Sequence, residues 1–88
     1  FQHVFPGDGL VFQPAGSFHT AFVRFPIDAL FLDSNGRILR LCHSVPPWRI
    51  RRAPQKAAIL IELPAGTLAR WGVQPDDVLT IEPYARER

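Results

Sequence analysis

The sequence has little cysteine and no long apolar run. Its one cysteine, Cys42, excludes an internal disulfide, so the fold does not depend on an oxidising compartment. No apolar stretch approaches the ~20 residues that a membrane-spanning helix needs. A glycine-rich phosphate loop of the Walker or dinucleotide type is also missing. These absences exclude a disulfide-stapled scaffold and a helical membrane span within the printed residues.

Acidic residues are missing from one long stretch of the chain. None occurs between Ser34 and Ile61, and all eight carboxylates lie outside that window. The window contains six basic residues, namely Arg37, Arg40, Arg49, Arg51, Arg52 and Lys56. The net charge is only +2, so the basic character is local rather than general.

The length and composition predict one small globular domain. A chain of 88 residues forms at most one domain, here 1–88 with a core of about 9–82. An apolar content of 47% argues against disorder, and nine prolines with six glycines favour short elements separated by turns. The first residue is Phe1, so a signal peptide, an anchor or a first strand can precede it. The compartment, cytoplasmic or exported, stays open.

Asn35-Gly36 is the strongest local structural signal. It separates two strand-like runs, 27–33 and 37–43, and both of its residues tolerate the positive φ of tight hairpin turns. Alternation along the second run predicts Ile38 and Arg40 on one face, with Leu39 and Leu41 on the other. We therefore predict a β-hairpin at this point.

Other short elements complete a mainly β fold. Further strands are predicted at 10–12, 19–25, 56–63 and 78–81. Residues 67–71 are typical of a short helix, with Gly72 where a left-handed C-terminal cap belongs. The expected architecture is a small barrel-like or curled, mostly antiparallel sheet of about five or six strands with one helix near 66–71, and an α+β arrangement is the alternative.

Three ordered blocks resemble a known family. The first is HTAFVRFPIDALFLD at 19–33 with Gly36-Arg37, the second is Pro-Trp-Arg at 47–49, and the third is IELPAGT at 61–67 with Gly72 and Asp77. Together they resemble the bacterial and archaeal family called domain of unknown function 192, over residues 9 to about 82. Val23 replaces the usual Met and Asp76 the usual Gly. The part of the family pattern upstream of Gly9 is expected to be missing. The resemblance implies a compact β-rich fold and no established reaction.

His19, Arg24 and Asp28 are the polar members of the first block. In a functional interpretation, Asp28 orients His19 while Arg24 binds an anionic ligand in a cleft. In a structural interpretation, Asp28 caps backbone donors where a strand begins, with His19 packed beside it. The first interpretation describes a small enzyme or a domain that senses an anionic ligand. The second assigns the three residues to the fold.

The remaining titratable groups do not form a catalytic or metal-binding pattern. Adjacent strand residues point to opposite faces, so Cys42 and His43 cannot both reach one atom. Asp76 and Asp77 are expected to form a solvated turn cap. Glu62 is expected to have a structural role on a strand. No metal site and no cofactor are predicted. Whether the chain is an enzyme stays uncertain, but these residues favour a non-catalytic protein.

The basic segment that contains Trp48 is the main binding candidate. Trp48 lies next to Arg49, Arg51 and Arg52, and stacking combined with charge can hold an anionic group. The alternative is a solvated basic loop in which Trp48 plugs the core. We predict a binding or accessory module that uses residues 46–52, with an anionic small molecule or a protein as partner. A nucleic acid is not expected, because the net charge is small.

Overall fold

The fold is built on an open four-stranded sheet. A computed structural model describes residues 2–4, 9–19 and 25–80, with 2–4 and 18–19 described as backbone. Its elements are β1 Gln2–Val4, β2 Leu10–Phe12, β3 Phe18–His19, β4 Ile27–Leu32, β5 Ile38–Val45, β6 Ile50–Arg51, β7 Ile59–Pro64, α1 Thr67–Trp71 and β8 Val78–Thr80. The main sheet has the order β2-β7-β4-β5 and is antiparallel throughout. Two small sheets join β1 to β8 in parallel and β3 to β6 in antiparallel fashion.

Strand β4 is the centre of the core. All six of its residues are buried, because it lies between β5 and β7 and is covered on both faces. Leu30 and Leu32 point to one face, where they pack with α1 through Leu68. Ala29 and Phe31 point to the other face, which loop alanines such as Ala53 cover. We call these the helix-side cluster and the loop-side cluster.

The predicted hairpin joins β4 to β5, but its turn is longer than expected. Asp33 and Arg37 face each other, since the Asp33 N–H donates to the Arg37 carbonyl at 2.9 Å. Three residues therefore form the loop, and Gly36 alone has a positive φ, of 87°, while Asn35 does not. The Leu79 carbonyl oxygen would lie 2.5 Å from a Cβ at position 36. Glycine is thus required both by the turn and by the close packing of β8.

Two register shifts interrupt the pairing of β4 with β5. They fall between the pairs of Ile27 and Ala29 and between those of Phe31 and Leu32. Ile38 and Leu41 consequently lie in the same helix-side cluster, so the simple alternation predicted for this strand was wrong there. A bulge adds one residue to a strand and thereby exchanges the faces that later side chains occupy.

The helix and the last strand close the helix-side face. Helix α1 has the predicted bounds, and Gly72 caps it with φ 78°, as expected. Asp76 also adopts a left-handed backbone, with φ 75°. Asp77 is buried rather than solvated, and its Oδ2 accepts the Gln74 N–H at 3.0 Å.

The predicted fold class is confirmed, with an open sheet and not a closed barrel. Among the described residues, the sheet ends at the edge strands β2 and β5. Strand β6 was not predicted, because residues 50–51 lie in the segment that the prolines and arginines marked as a loop. The strand predicted at 19–25 overlaps β3 at His19, and residues 20–24 lie outside the described part.

Candidate functional site

The basic loop, residues 46–52, leaves the sheet at the end opposite the hairpin. Pro46 and Pro47 follow β5 directly and lack the N–H groups that would continue the ladder. Trp48 then adopts a left-handed backbone with φ 65°, which is uncommon for a bulky residue. The chain therefore turns sharply at Trp48 before it enters β6.

Among the described residues, three large apolar side chains are exposed at this end of the sheet. Trp48 and Ile50 are each 69% exposed, and Phe25 is 63% exposed. Phe25 belongs to the same end because Ile27, two residues later, pairs with Val45 at the end of β5. We call Phe25, Trp48 and Ile50 the apolar end patch. The core-plug alternative for Trp48 does not agree with its exposure.

The arginines of the loop are held by main-chain carbonyl groups. Arg49 Nη1 donates to the Trp48 carbonyl at 3.4 Å, and Arg51 Nη1 donates to the Ile50 carbonyl at 3.0 Å. Arg40, from the edge strand β5, reaches the loop through a bond of 3.2 Å to the Arg52 carbonyl. In the described part of the chain, Arg40, Arg51 and Arg52 form no ion pair with a carboxylate.

Arg40 was not predicted to belong to the site, although the sequence contained an indication that it is part of a basic surface. It lies in the acid-free window of the sequence, but twelve residues separate it from Arg52. Only the folding of the loop against the edge of β5 brings the two together. With Arg40 the basic surface extends from the loop onto the sheet.

Cys42 lies beneath this basic surface. Burial raises the pKa of its thiol, while the nearby positive charges of Arg51 and Arg40 act in the opposite direction. Cys42 is 8% exposed, whereas His43 is exposed, in keeping with strand alternation. The raised pKa keeps the sulfur protonated at neutral pH, so it behaves as a small apolar side chain of the loop-side cluster.

The Asp28 side chain connects the end of β5, just before the basic loop, to helix α1. Asp28 is 0% exposed and is the second residue of β4, whose other residues are all apolar. Oδ1 accepts the Ser44 N–H at 2.7 Å, and Oδ2 accepts the Leu68 N–H at 2.8 Å. Ser44 has a positive φ of 48° at the first register shift of β5. The carboxylate thus fixes the bulge two residues before the loop and satisfies a free amide in the first turn of α1.

The other two members of the predicted cleft lie outside this description. Arg24 is beyond the described residues, and of His19 only the backbone is described. His19 pairs with Ile50 through β3 and β6, so its main chain lies beside the basic loop. Convergence of His19 and Arg24 on Asp28 stays a prediction. Both oxygens of Asp28 are already bonded to backbone amides, which agrees with the structural interpretation of that residue.

The side chains that could ligate a metal lie apart from one another in the described part of the chain. Within residues 9–17 and 25–80, no three His, Cys, Asp or Glu side chains lie close enough to share a metal ion. Over the same described stretches, no helix has the length and apolar character to cross a bilayer. Glu62 is half-buried on β7, where it pairs in register with Ala29.

Comparison with known proteins agrees with the blocks seen in the sequence. The family model of domain of unknown function 192, described as "Uncharacterized ACR", matches residues 2–81. The chain belongs to this family. Its match begins at residue 2, so it includes residues upstream of Gly9 that the sequence blocks did not cover. Among curated proteins no match is found.

A solved structure has the same fold. It is the crystal structure of a protein of unknown function from Novosphingobium aromaticivorans DSM 12444, with a TM-score of 0.69 and 22% sequence identity. The match covers 77% of this chain and 53% of the other, so this chain spans about half of that neighbour. At this identity the likeness concerns the fold alone, and neither comparison assigns an activity.

Proposed function

We propose that this domain is a non-catalytic binding or accessory module that holds an anionic partner against the basic loop. The observation that carries the proposal is the exposed Trp48 in a cluster of arginines whose surroundings in the sequence contain no acid. Carboxylates within the loop and its sequence neighbours would neutralise such a surface. From Ser34 to Ile61 the chain supplies none.

The chemistry of the arginines supports an oxyanion as the recognised group. A guanidinium has five N–H donors, and Arg51 uses one hydrogen bond to hold the Ile50 carbonyl. Arg40 likewise donates to one carbonyl, that of Arg52. The remaining donors of both side chains can bond to carboxylate or phosphate oxygens in a forked geometry. The carbonyl bonds orient the side chains beforehand, which lowers the entropy lost on binding.

The surroundings of Asp28 and Cys42 support a non-catalytic role. A general base must reach the proton that it removes, but Asp28 is wholly buried and bonded through both oxygens. A nucleophilic thiol needs a lowered pKa, whereas burial raises that of Cys42. The enzyme or sensor alternative on His19, Arg24 and Asp28 therefore has less support than the basic loop.

The test is a binding titration followed by amide chemical shifts. The probes are poly-glutamate, inorganic tripolyphosphate and vesicles that contain phosphatidylglycerol. We expect at least one probe to shift the amides of the basic loop, and the shifts to weaken as salt is added. The triple variant Arg49→Gln/Arg51→Gln/Arg52→Gln should lose the response.

A charge-matched control separates the loop from net charge. Arg37→Gln/Lys56→Gln/Arg70→Gln removes the same charge at exposed positions outside the basic loop. Arg37 is in the hairpin, and Lys56 precedes β7, whose Ile59 pairs with Leu32 at the hairpin end of the sheet. This variant should bind as the parent does. Equal loss in both triple variants, or no binding of any probe, would overturn the proposal.

A further inference from the structure

The apolar end patch indicates that the partner offers apolar surface as well as negative charge. Trp48, Ile50 and Phe25 are all more than 60% exposed at one end of a small domain. Large apolar side chains exposed together at one end of a domain often mark a site that another molecule covers. An isolated phosphate or a short acidic peptide can pair with the arginines and still leave these side chains in water. The partner has to offer negative charge and apolar volume side by side.

The apolar end patch alone is smaller than one side of a stable protein interface. Three such side chains at about two-thirds exposure present on the order of 400 Å². A stable protein interface covers about 800 Å² on each partner. A second copy of this chain fits no better, because a twofold contact through this end would bring the same arginines of both copies together. A surface into which a few side chains insert needs no such area.

We propose that the occupant is the surface of an anionic lipid bilayer. This inference rests on the proposed function and names its partner class. Trp48 and Ile50 enter the boundary between headgroups and acyl chains, where tryptophan is favoured because its ring is apolar and its N–H is polar. Arg49, Arg51 and Arg52 bond to lipid phosphates, and Phe25 borders the inserted residues. The absence of acid in this window avoids repulsion from the anionic surface.

The fold holds the loop ready for this contact. Two prolines restrict the backbone before Trp48, and the bulge at Ser44 is fixed by Asp28. A preformed loop loses little entropy when it docks. The second oxygen of Asp28 accepts the Leu68 N–H of α1, and Leu68 packs in the helix-side cluster. The docking loop is therefore anchored to the core.

The experiment follows Trp48 as vesicles are added. The chain has two tryptophans, so Trp71→Phe leaves Trp48 as the one fluorescent indole. Vesicles of phosphatidylcholine, with or without phosphatidylglycerol, are compared by emission and by quenching with brominated acyl chains. We expect a blue shift and quenching with the anionic vesicles alone. Flotation of the unsubstituted chain with the same vesicles provides a readout that does not depend on Trp71→Phe.

Matched variants distinguish the insertion of apolar side chains into the bilayer from the electrostatic attraction of the arginines to its surface. We expect Arg49→Gln/Arg51→Gln/Arg52→Gln to weaken flotation on the order of a hundredfold, at roughly fivefold for each arginine. Ile50→Ser and Trp48→Ala should each weaken it about tenfold or more. Leu10→Ser is the control, because Leu10 is 63% exposed but lies on the edge strand β2. It should bind as the parent does.

The outcomes distinguish this inference from the proposed function. If poly-glutamate or tripolyphosphate binds at the loop while anionic vesicles do not, the lipid inference is overturned and the proposed function stands. If vesicles bind but Ile50→Ser and Trp48→Ala bind equally well, insertion is overturned and only surface attraction is left. If no probe binds, both fail. Anionic-vesicle binding that depends on both the arginines and the apolar pair supports both.

Discussion

The middle of β4 and the tip of the basic loop contain similar apolar residues in opposite surroundings. Residues 29–32 of β4 are 0% exposed, whereas Trp48 and Ile50 are 69% exposed. The charged residues of the two regions also differ in their surroundings. Asp28 in the core accepts hydrogen bonds from two backbone amides, while Arg51 and Arg52 at the surface have no carboxylate partner among the described residues. Apolar residues stabilise the fold in the first region and are available for contact in the second.

The largest expected effect is the loss of stability when an aromatic ring is removed from the core, compared with removal of one from the loop tip. Phe31→Ala should lower the free energy of unfolding by about 4 kcal/mol, because it leaves a cavity in the loop-side cluster. Trp48→Ala should change it by about 0.5 kcal/mol or less, as for an exposed position. Urea denaturation followed by circular dichroism measures both. A large loss for Trp48→Ala would mean that the loop belongs to the core, and the contrast between the regions would fail.

The next effect concerns the buried carboxylate that links the two regions. Asp28→Asn should cost about 3 kcal/mol, because an amide NH₂ group would face the N–H of Ser44 or Leu68 in place of an acceptor. Hydrogen exchange of the amide that loses its acceptor should speed up more than that of its neighbours, whereas a general loss of packing would affect many amides alike. Asp76→Asn is the control at an exposed left-handed position, which Asn also tolerates. Similar losses for the two variants would contradict the capping role of Asp28.

The smallest effect is the pH dependence of an exposed carboxylate at the hairpin end. The backbone N–H of Arg37, at 3.0 Å, lowers the pKa of Asp33, and the Asn35 amide at 2.8 Å acts in the same direction. Since the folded pKa is below the unfolded one, the stabilisation is present above the unfolded pKa. It is lost as the pH falls through the folded pKa.

An NMR titration of the Asp33 carboxyl carbon measures this directly. The midpoint should lie below that of an aspartate in the unfolded chain. Asp33→Asn should flatten the acid limb of the stability curve, because it removes the stabilisation that the charged carboxylate provides near neutral pH and leaves the stability below the folded pKa nearly unchanged. A midpoint at or above the unfolded value would show that the turn does not favour the charged carboxylate.

The features that depend on neighbouring residues were predictable. The Asn35-Gly36 hairpin, helix α1 and its Gly72 cap follow from local conformational preferences, which act over a few residues. The acid-free window follows from counting charges. The blocks that resemble the family include Gly36 of the hairpin and Gly72 of the helix cap.

The features that depend on distant contacts were not predictable. Alternation along β5 failed at a bulge, because the shift in register is set by its pairing with β4. Strand β6 is two residues long and exists through its pairing with β3. Arg40 joins the basic surface only because the loop folds back to the edge of the sheet.

The sequence by itself determined a small β-rich domain of a recognisable family, with a hairpin, one short helix and a basic segment around Trp48. The tertiary structure decided how these parts are used. It connected Asp28 to Leu68, 40 residues further along the chain, and left Trp48 in solvent where the sequence also allowed a buried ring. The physical reason is that turns and caps depend on local backbone preferences, whereas burial and the partners of a buried charge depend on which distant segments pack together.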